Sequence, residues 1–293
     1  MVRSVVAGLD GSPESRAAAE WAAGEAELRG LPLKIVHVWV PAPDPLAQAP
    51  FIGAETQQQW SERIPREAGE GLRRRHPGVD VTVEQVSGTP SDALVGAAKD
   101  AELLVLGSRG LSGVGGFLVG SVGLSVVARA ELPVVLVRAD EQAADEDGTN
   151  PGNRPVVLGL DAEGPADAVI EFAFAEAARR GTSLRVVYGW SLPPYYAYGF
   201  ALDAGLHDEL SQEETGSLTE ALRPWRQKHP DTEVFLEPRV GSAADHLVDA
   251  SREASLVVIG RRIRRGGPGA HIGPVAHGVL HHSTAPVAVV AHD

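Results

Sequence analysis

The chain has no cysteine. That excludes disulfides, thiolate nucleophiles and cysteine-ligated metals. Lysine is scarce, with only Lys34, Lys99 and Lys228. Net positive charge is missing as well: 26 Lys and Arg stand against 39 Asp and Glu, for a formal charge of −13. Phosphate polymers and anionic membranes need net or patchy positive charge, so neither nucleic acid nor membrane is an expected partner. No apolar run approaches the ~18 residues of a membrane span. The run over residues 2–8 is too short for a signal peptide, and a cytoplasmic location is expected. What remains is ordinary globular usage, 43% hydrophobic and 22% charged over 293 residues, enough for two domains with a core each.

The chain repeats itself. Leu103-Leu104-Val105-Leu106-Gly107 returns as Leu256-Val257-Val258-Ile259-Gly260 at an offset of 153, which persists from residue 103 to 138. Gly120 lands on Gly273, Val122 on Val275 and Pro133 on Pro286. Upstream the offset is 151, and Gly8-Leu9-Asp10 lands on Gly159-Leu160-Asp161, Trp39 on Trp190. A repeat of this length means two whole domains, not a solenoid. The expected division is 1–138, an acidic linker over 139–153, and 154–293.

Each half alternates strands with helices. In the first, strands are expected at 2–8, 33–40, 79–86, 103–106 and 134–137, with helices over 12–29, 54–76, 92–99 and 120–129. Ser12-Pro13 is an N-cap followed by a first-turn proline, and Gly30 closes that helix. Arg73-Arg74-Arg75 is read as a solvated helix C-terminus. Five strands joined by helical crossovers imply an α/β fold, a parallel doubly wound sheet with helices on both faces.

Such sheets bind ligands at the carboxyl ends of the strands, where strand order reverses. Asp10 sits just past the first strand, where its carboxylate can accept from a ribose hydroxyl or an amine. The fourth strand runs into Gly107-Ser108-Arg109-Gly110-Leu111-Ser112-Gly113, and Gly120-Ser121-Val122 opens a helix. Glycines let backbone amides approach an anion, and the helix N-terminus adds partial positive charge. A phosphate site is the expectation, against the alternative of a surface loop with a serine cap.

The spacing Gly107-x2-Gly110-x9-Gly120-Ser121 resembles the nucleotide-binding pattern of the universal stress protein family. Gly8-Leu9-Asp10-Gly11-Ser12 and Val36-His37-Val38 are similar to that family's first and second strand ends. The resemblance covers the whole chain as a tandem pair and implies two Rossmann-like domains of the adenine nucleotide α-hydrolase-like kind. It implies ATP, with or without Mg2+, and a nucleotide-dependent regulatory or stress-response role. By position, Gly8, Asp10 and Val38 would hold adenosine. Gly107, Ser108, Arg109, Gly110, Leu111, Ser112, Gly113, Gly120, Ser121 and Val122 would hold ribose and phosphates. In the second copy the counterparts are Gly159, Asp161, Gly189, Gly260, Arg262, Gly273 and Val275.

The second copy departs from the pattern. Its middle glycine is Ile263 and its hydroxyl is Pro274, while Arg261, Arg262, Arg264 and Arg265 add charge. It is either an altered anion site or a degenerate one. His277 and His281, four apart, could share a helix face, with a surface or interface role expected over metal binding. No G-x4-G-K-[S/T] loop is present and no lysine lies in either glycine loop. ATP binding without dedicated catalysis is therefore expected. Slow ATP hydrolysis or phosphotransfer in the same pocket is one alternative, and a scaffold without ligand is another. The apolar runs Val134-Val135-Leu136-Val137 and Val287-Ala288-Val289-Val290 are expected to be edge strands that pair with each other as an internal pseudo-dimer. A homodimer of whole chains is left open.

Overall fold

A computed structural model describes residues 3–40, 54–108, 119–139, 154–161, 164, 166–191, 204–263 and 272–293. The chain divides into two compact units, Met1–Glu141 and Gln142–Asp293. The first contains β1 (Val5–Gly8), α1 (Pro13–Arg29), β2 (Leu33–Trp39), α2 (Ala54–Arg75), β3 (Val81–Ser87), α3 (Pro90–Ala97), β4 (Leu103–Ser108), α4 (Ser121–Arg129) and β5 (Val134–Arg138). Its strands are all parallel, in the order β3-β2-β1-β4-β5.

The second unit contains β6 (Val156–Gly159), α5 (Asp167–Arg180), β7 (Leu184–Trp190), α6 (Ala204–Lys228), β8 (Val234–Val240), α7 (Ala243–Ala250), β9 (Leu256–Arg262), α8 (Pro274–His282) and β10 (Val287–His292). Its order is β8-β7-β6-β9-β10, again all parallel. In each unit the order reverses beside the first strand, so each is a doubly wound α/β sheet.

Two boundaries differ from the sequence reading for identifiable reasons. The third strand starts at Val81, because Val79 N–H donates to the His76 carbonyl at 3.0 Å and finishes the turn after α2. Helix α3 starts earlier, at Pro90, with Thr89 as its cap residue; a proline suits the first turn, where its missing N–H costs nothing.

Val5, Val6 and Ala7 of β1 and Leu103, Leu104 and Val105 of β4 are fully buried, as strands covered on both faces must be. Helices α1 and α2 pack on one face of the first sheet, α3 and α4 on the other; α5 and α6, and α7 and α8, do the same in the second. Helix α1 is held at both ends. The Ser12 hydroxyl accepts from Ser15 N–H, and Gly30 closes the helix at φ 62°, as Gly181 closes α5. Its inner face is Ala18, Ala19, Ala22, Ala23 and Ala26, all buried, and these small side chains bring the helix close to the strands. The closest approach is at Gly107, where an added Cβ would lie 2.6 Å from Glu14 C and 2.7 Å from Ser15 N.

The ion pairs repeat with the fold. Buried Glu25 and Arg29 pair at 3.2 Å, and Arg29 reaches Glu102 at 2.6 Å. Their counterparts Glu176 and Arg180 also pair, joined by Arg179. Lys34–Glu84, at 2.5 Å, recurs as Arg185–Glu237 at 2.7 Å, joining neighbouring strands. Burial acts to raise the Glu237 carboxyl, but hydrogen bonds and charge from Arg185 and then Arg239 outweigh it and hold it below the usual carboxylate value.

Two outcomes follow from this packing. Gly107→Ala pushes α1 off β4 and costs about 1–3 kcal/mol. Gly24→Ala, mid-helix in α1 with nothing within 4 Å of the new methyl, stabilises by about 0.5–1 kcal/mol. Denaturant midpoints that move in the same direction for both would refute this. Because the folded Glu237 value is lowered, its contribution is complete above the unfolded carboxylate value and disappears as pH falls through the folded one. Glu237→Gln is thus less stable than the parent by about 1 kcal/mol at neutral pH, with the gap closing below pH ~4. A gap that persists in acid would point to packing instead of charge.

Candidate functional site

In the first unit β1 and β4 lie side by side, yet the chain leaves them toward opposite faces, into α1 and toward α4. Their carboxyl ends therefore bound a gap, and a cleft of about 460 Å³ sits there. Gly8, Leu9 and Asp10 border it from β1, Val36, Val38 and Val40 from β2, and Leu106 and Gly107 from β4. Pro90 and Leu94 of α3 and Gly120, Ser121, Val122 and Gly123 at the head of α4 complete the lining.

The two ends of the cleft differ in chemistry. Val36, Val38, Leu94 and Leu106 form an apolar slot suited to a flat ring. Gly8 belongs to that slot because a side chain there would strike Leu106 Cδ2 at 2.6 Å and Leu94 Cδ2 at 3.1 Å. The slot's rim carries Asp10, whose Oδ1 accepts from Ser12 N–H at 2.9 Å and from the Ser12 hydroxyl at 2.5 Å. Those bonds tie the carboxylate to the α1 cap. Asp10 N–H in turn donates to Ser15 Oγ at 3.3 Å.

At the head of α4 Gly120 is extended, at φ −64° and ψ 152°, and supplies no side-chain cap to the helix. The first helical bond there runs from Leu124 N–H to the Gly120 carbonyl, so the amides of Ser121, Val122 and Gly123 have no carbonyl one turn back. They point out of the helix with its partial positive charge, beside the Ser121 hydroxyl.

Of the residues expected here from sequence, Gly8, Asp10, Val38, Gly107, Gly120, Ser121 and Val122 border this one cleft. Ser108 does not: it is buried, and its hydroxyl donates to the Val137 carbonyl at 3.3 Å. Strand β4 continues through Ser108, paired with Arg138 of β5, so this residue belongs to the sheet. Arg109, Gly110, Leu111, Ser112 and Gly113 lie outside the described residues. Gly107 has a structural reason to be glycine, the backbone of α1, apart from any ligand. Sequence reasoning missed Val36, Leu94, Leu106, Ser12 and Ser15 as cleft residues; the repeat held a hint for the apolar three, each matched by an aliphatic residue in the second copy.

The second unit has a cleft of about 460 Å³ in the same place. Gly159, Asp161, Gly189, Gly260, Arg262, Gly273 and Val275 all border it. Gly159 meets Leu247 and Ile259 as Gly8 meets Leu94 and Leu106, and Gly189 lies against the backbone of Ala243, where a Cβ would come within 2.5 Å. Helix α8 starts at Pro274, again after an extended glycine, Gly273. Arg261, buried, and Arg262, exposed, both border the cleft. The rings of His277 and His281 sit 4.3 Å apart on α8. Among the described residues no group of three or more His, Cys, Asp or Glu side chains is placed to hold a metal, and no helix is long and apolar enough to cross a membrane.

Comparisons with known proteins show the family. The model of the universal stress protein family matches residues 1–138 and 152–291. A universal stress protein of Mycobacterium tuberculosis is 35% identical over 300 residues, spanning 97% of this chain and 96% of its own. Another, of Mycolicibacterium smegmatis, is 32% identical over 298 residues, spanning 98% and 96%. The crystal structure of a universal stress protein from Archaeoglobus fulgidus shares the fold, with a TM-score of 0.69 at 18% identity over 99% of this chain and 98% of that one. With both halves matched and the relatives aligned nearly end to end, the chain belongs to the universal stress protein family.

Proposed function

We propose that this chain is an ATP-binding regulatory module whose first cleft holds the nucleotide. One observation carries the reading: apolar side chains, a carboxylate and a run of helix-head amides share one cleft of about 460 Å³. Adenine fills the slot between Val36, Val38, Leu94 and Leu106. Asp10, oriented by Ser12, takes a ribose hydroxyl or the adenine amine, and Ser121, Val122 and Gly123 donate to phosphate oxygens.

The described lining favours binding over turnover. Asp10 is its one carboxylate and it contains no lysine, whereas phosphoryl transfer calls for a cationic clamp, metal-holding groups and a residue that orients the nucleophile. Mg2+ would arrive with the triphosphate and screen charge between phosphates, and the described lining offers it no carboxylate besides Asp10. Nucleotide occupancy regulates through whichever conformational states differ in affinity for it. We also propose that β5 and β10, apolar and last in the strand order of their units, pair with each other within one chain as an internal pseudo-dimer. A crystal structure with those two strands far apart would refute that pairing.

Val122 is 37% exposed at the head of α4. An acidic residue there suits the helix dipole but repels phosphate, so Val122→Asp separates binding from folding. Protein purified, denatured and analysed by chromatography should release close to one ATP per chain. The Val122→Asp variant should release none, with melting temperature unchanged or raised. Full retention of ATP by that variant would remove the first cleft as the site, and ADP alone in the parent would favour hydrolysis.

A further inference from the structure

Strands β1 and β2 run parallel, and their pairing ends with Gly8 opposite Val36. In a parallel ladder alternate residues of a strand bond to the same neighbour. Val36 bonds to the β1 side, since its carbonyl accepts from Leu9 N–H at 2.9 Å. Val38, two residues on, faces the same way, and one more rung would join its N–H to the Leu9 carbonyl. Among the described residues that rung does not form.

The His37 ring takes its place. Nδ1 lies 2.7 Å from the Leu9 carbonyl oxygen, and because a carbonyl only accepts, Nδ1 carries the proton of that bond. His37 is buried, and alternation along β2 sends its side chain to the face opposite Val36 and Val38, the two that border the cleft. Leu9 is thus held by consecutive residues of β2, its N–H by Val36 and its carbonyl by His37. The chain leaves the sheet there, and Asp10 follows. The second unit keeps the turn without the ring: Leu160 N–H donates to the Val187 carbonyl at 3.2 Å, and Tyr188 stands where His37 does.

A side chain that satisfies Leu9 from outside the ladder leaves Val38, a residue of the apolar slot, with an N–H that β1 does not engage. Covering that donor with apolar matter alone is costly, whereas a flat heterocycle with an acceptor nitrogen at its edge fills the slot and pairs the donor together. We propose that His37 is a positioning residue that decides which base the first cleft accepts: by occupying the Leu9 carbonyl it keeps Val38 N–H available to a ring nitrogen of the base. Adenine carries an unprotonated ring nitrogen beside its exocyclic amine. Guanine carries an N–H at that position and sets donor against donor, a mismatch that polar sites reject strongly. The proposal rests on the nucleotide reading of the first cleft and adds to it the selection of adenine over guanine.

The test uses the full-length protein, freed of nucleotide, with ATP and GTP as probes in titration calorimetry. Binding that survives in Val122→Asp is subtracted as foreign to the first cleft. The parent should prefer ATP about tenfold or more, the effect of one hydrogen bond lost and one donor left unpaired. His37→Leu removes the ring donor, lets the rung between Val38 and Leu9 close, and should bring the two affinities within about threefold of each other. His37→Asn, which keeps an N–H donor on a short side chain, should retain the preference. Amide exchange followed by NMR reads the same switch without ligand. In the nucleotide-free parent Val38 should exchange at least about tenfold faster than Val36, which lies in the paired run, and in His37→Leu it should slow. Should His37→Leu not fold, the exchange of Val38 in the parent and the preference of His37→Asn still decide. A protected Val38 amide in the parent, loss of the preference in His37→Asn, or a preference unmoved by His37→Leu would each overturn the role of His37. A parent that binds neither nucleotide in this cleft overturns the reading of the cleft itself, and the proposed selectivity falls with it.

Discussion

Each unit depends on the reversal of strand order between its first and fourth strands. A parallel sheet has to return its chain to the starting end through a crossover, and right-handed crossovers send successive helices to one face until the order reverses. In the first unit α1 and α2 cover one face, and α3 and α4 the other. Neighbouring strands β1 and β4 hand the chain to opposite faces, and nothing in the topology can fill the space between those exits. The cleft is a consequence of connectivity, and the side chains decide what it holds. The close approach of α1 at Gly107 fixes one wall, since the backbone of Glu14 and Ser15 lies where a side chain would be.

The duplication separates architecture from chemistry. The Glu25–Arg29 and Glu176–Arg180 pairs, the left-handed glycines Gly30 and Gly181, and the hydrogen bonds from Arg73 to the Val81 carbonyl and from Arg226 to the Val234 carbonyl occupy equivalent places. So do the glycines that seat Leu94 and Leu247. These contacts hold helices to strands, and both units need them whatever they bind. The units differ at the head of the fourth helix, with Ser121 in the first against Pro274 in the second. There the two units offer different donors within the same frame.

Much of the site was legible because its residues sit at strand ends and helix heads, where sequence signals are strong. Asp10 follows a β-branched run and precedes Ser12-Pro13, and Gly120-Ser121 precedes an apolar helix. Both landmarks survive in any reasonable placement of the elements. Ser108 was expected in the loop because a motif gives spacing without direction; β4 runs two residues further than expected, and the Ser108 hydroxyl donates to the Val137 carbonyl. Leu94 was invisible for the opposite reason. It comes from a helix that follows the third strand, and only the return of α3 across the sheet brings it to Gly8.

Order of elements, duplication, the helix caps and the glycines were set by sequence alone, because each depends on neighbours a few residues away and on the steric rules of the backbone. The apolar slot, the burial of Ser108 and the bond from the His37 ring to the Leu9 carbonyl were decided by tertiary structure. They join residues from separate strands and helices, and their distances exist only once the sheet has formed.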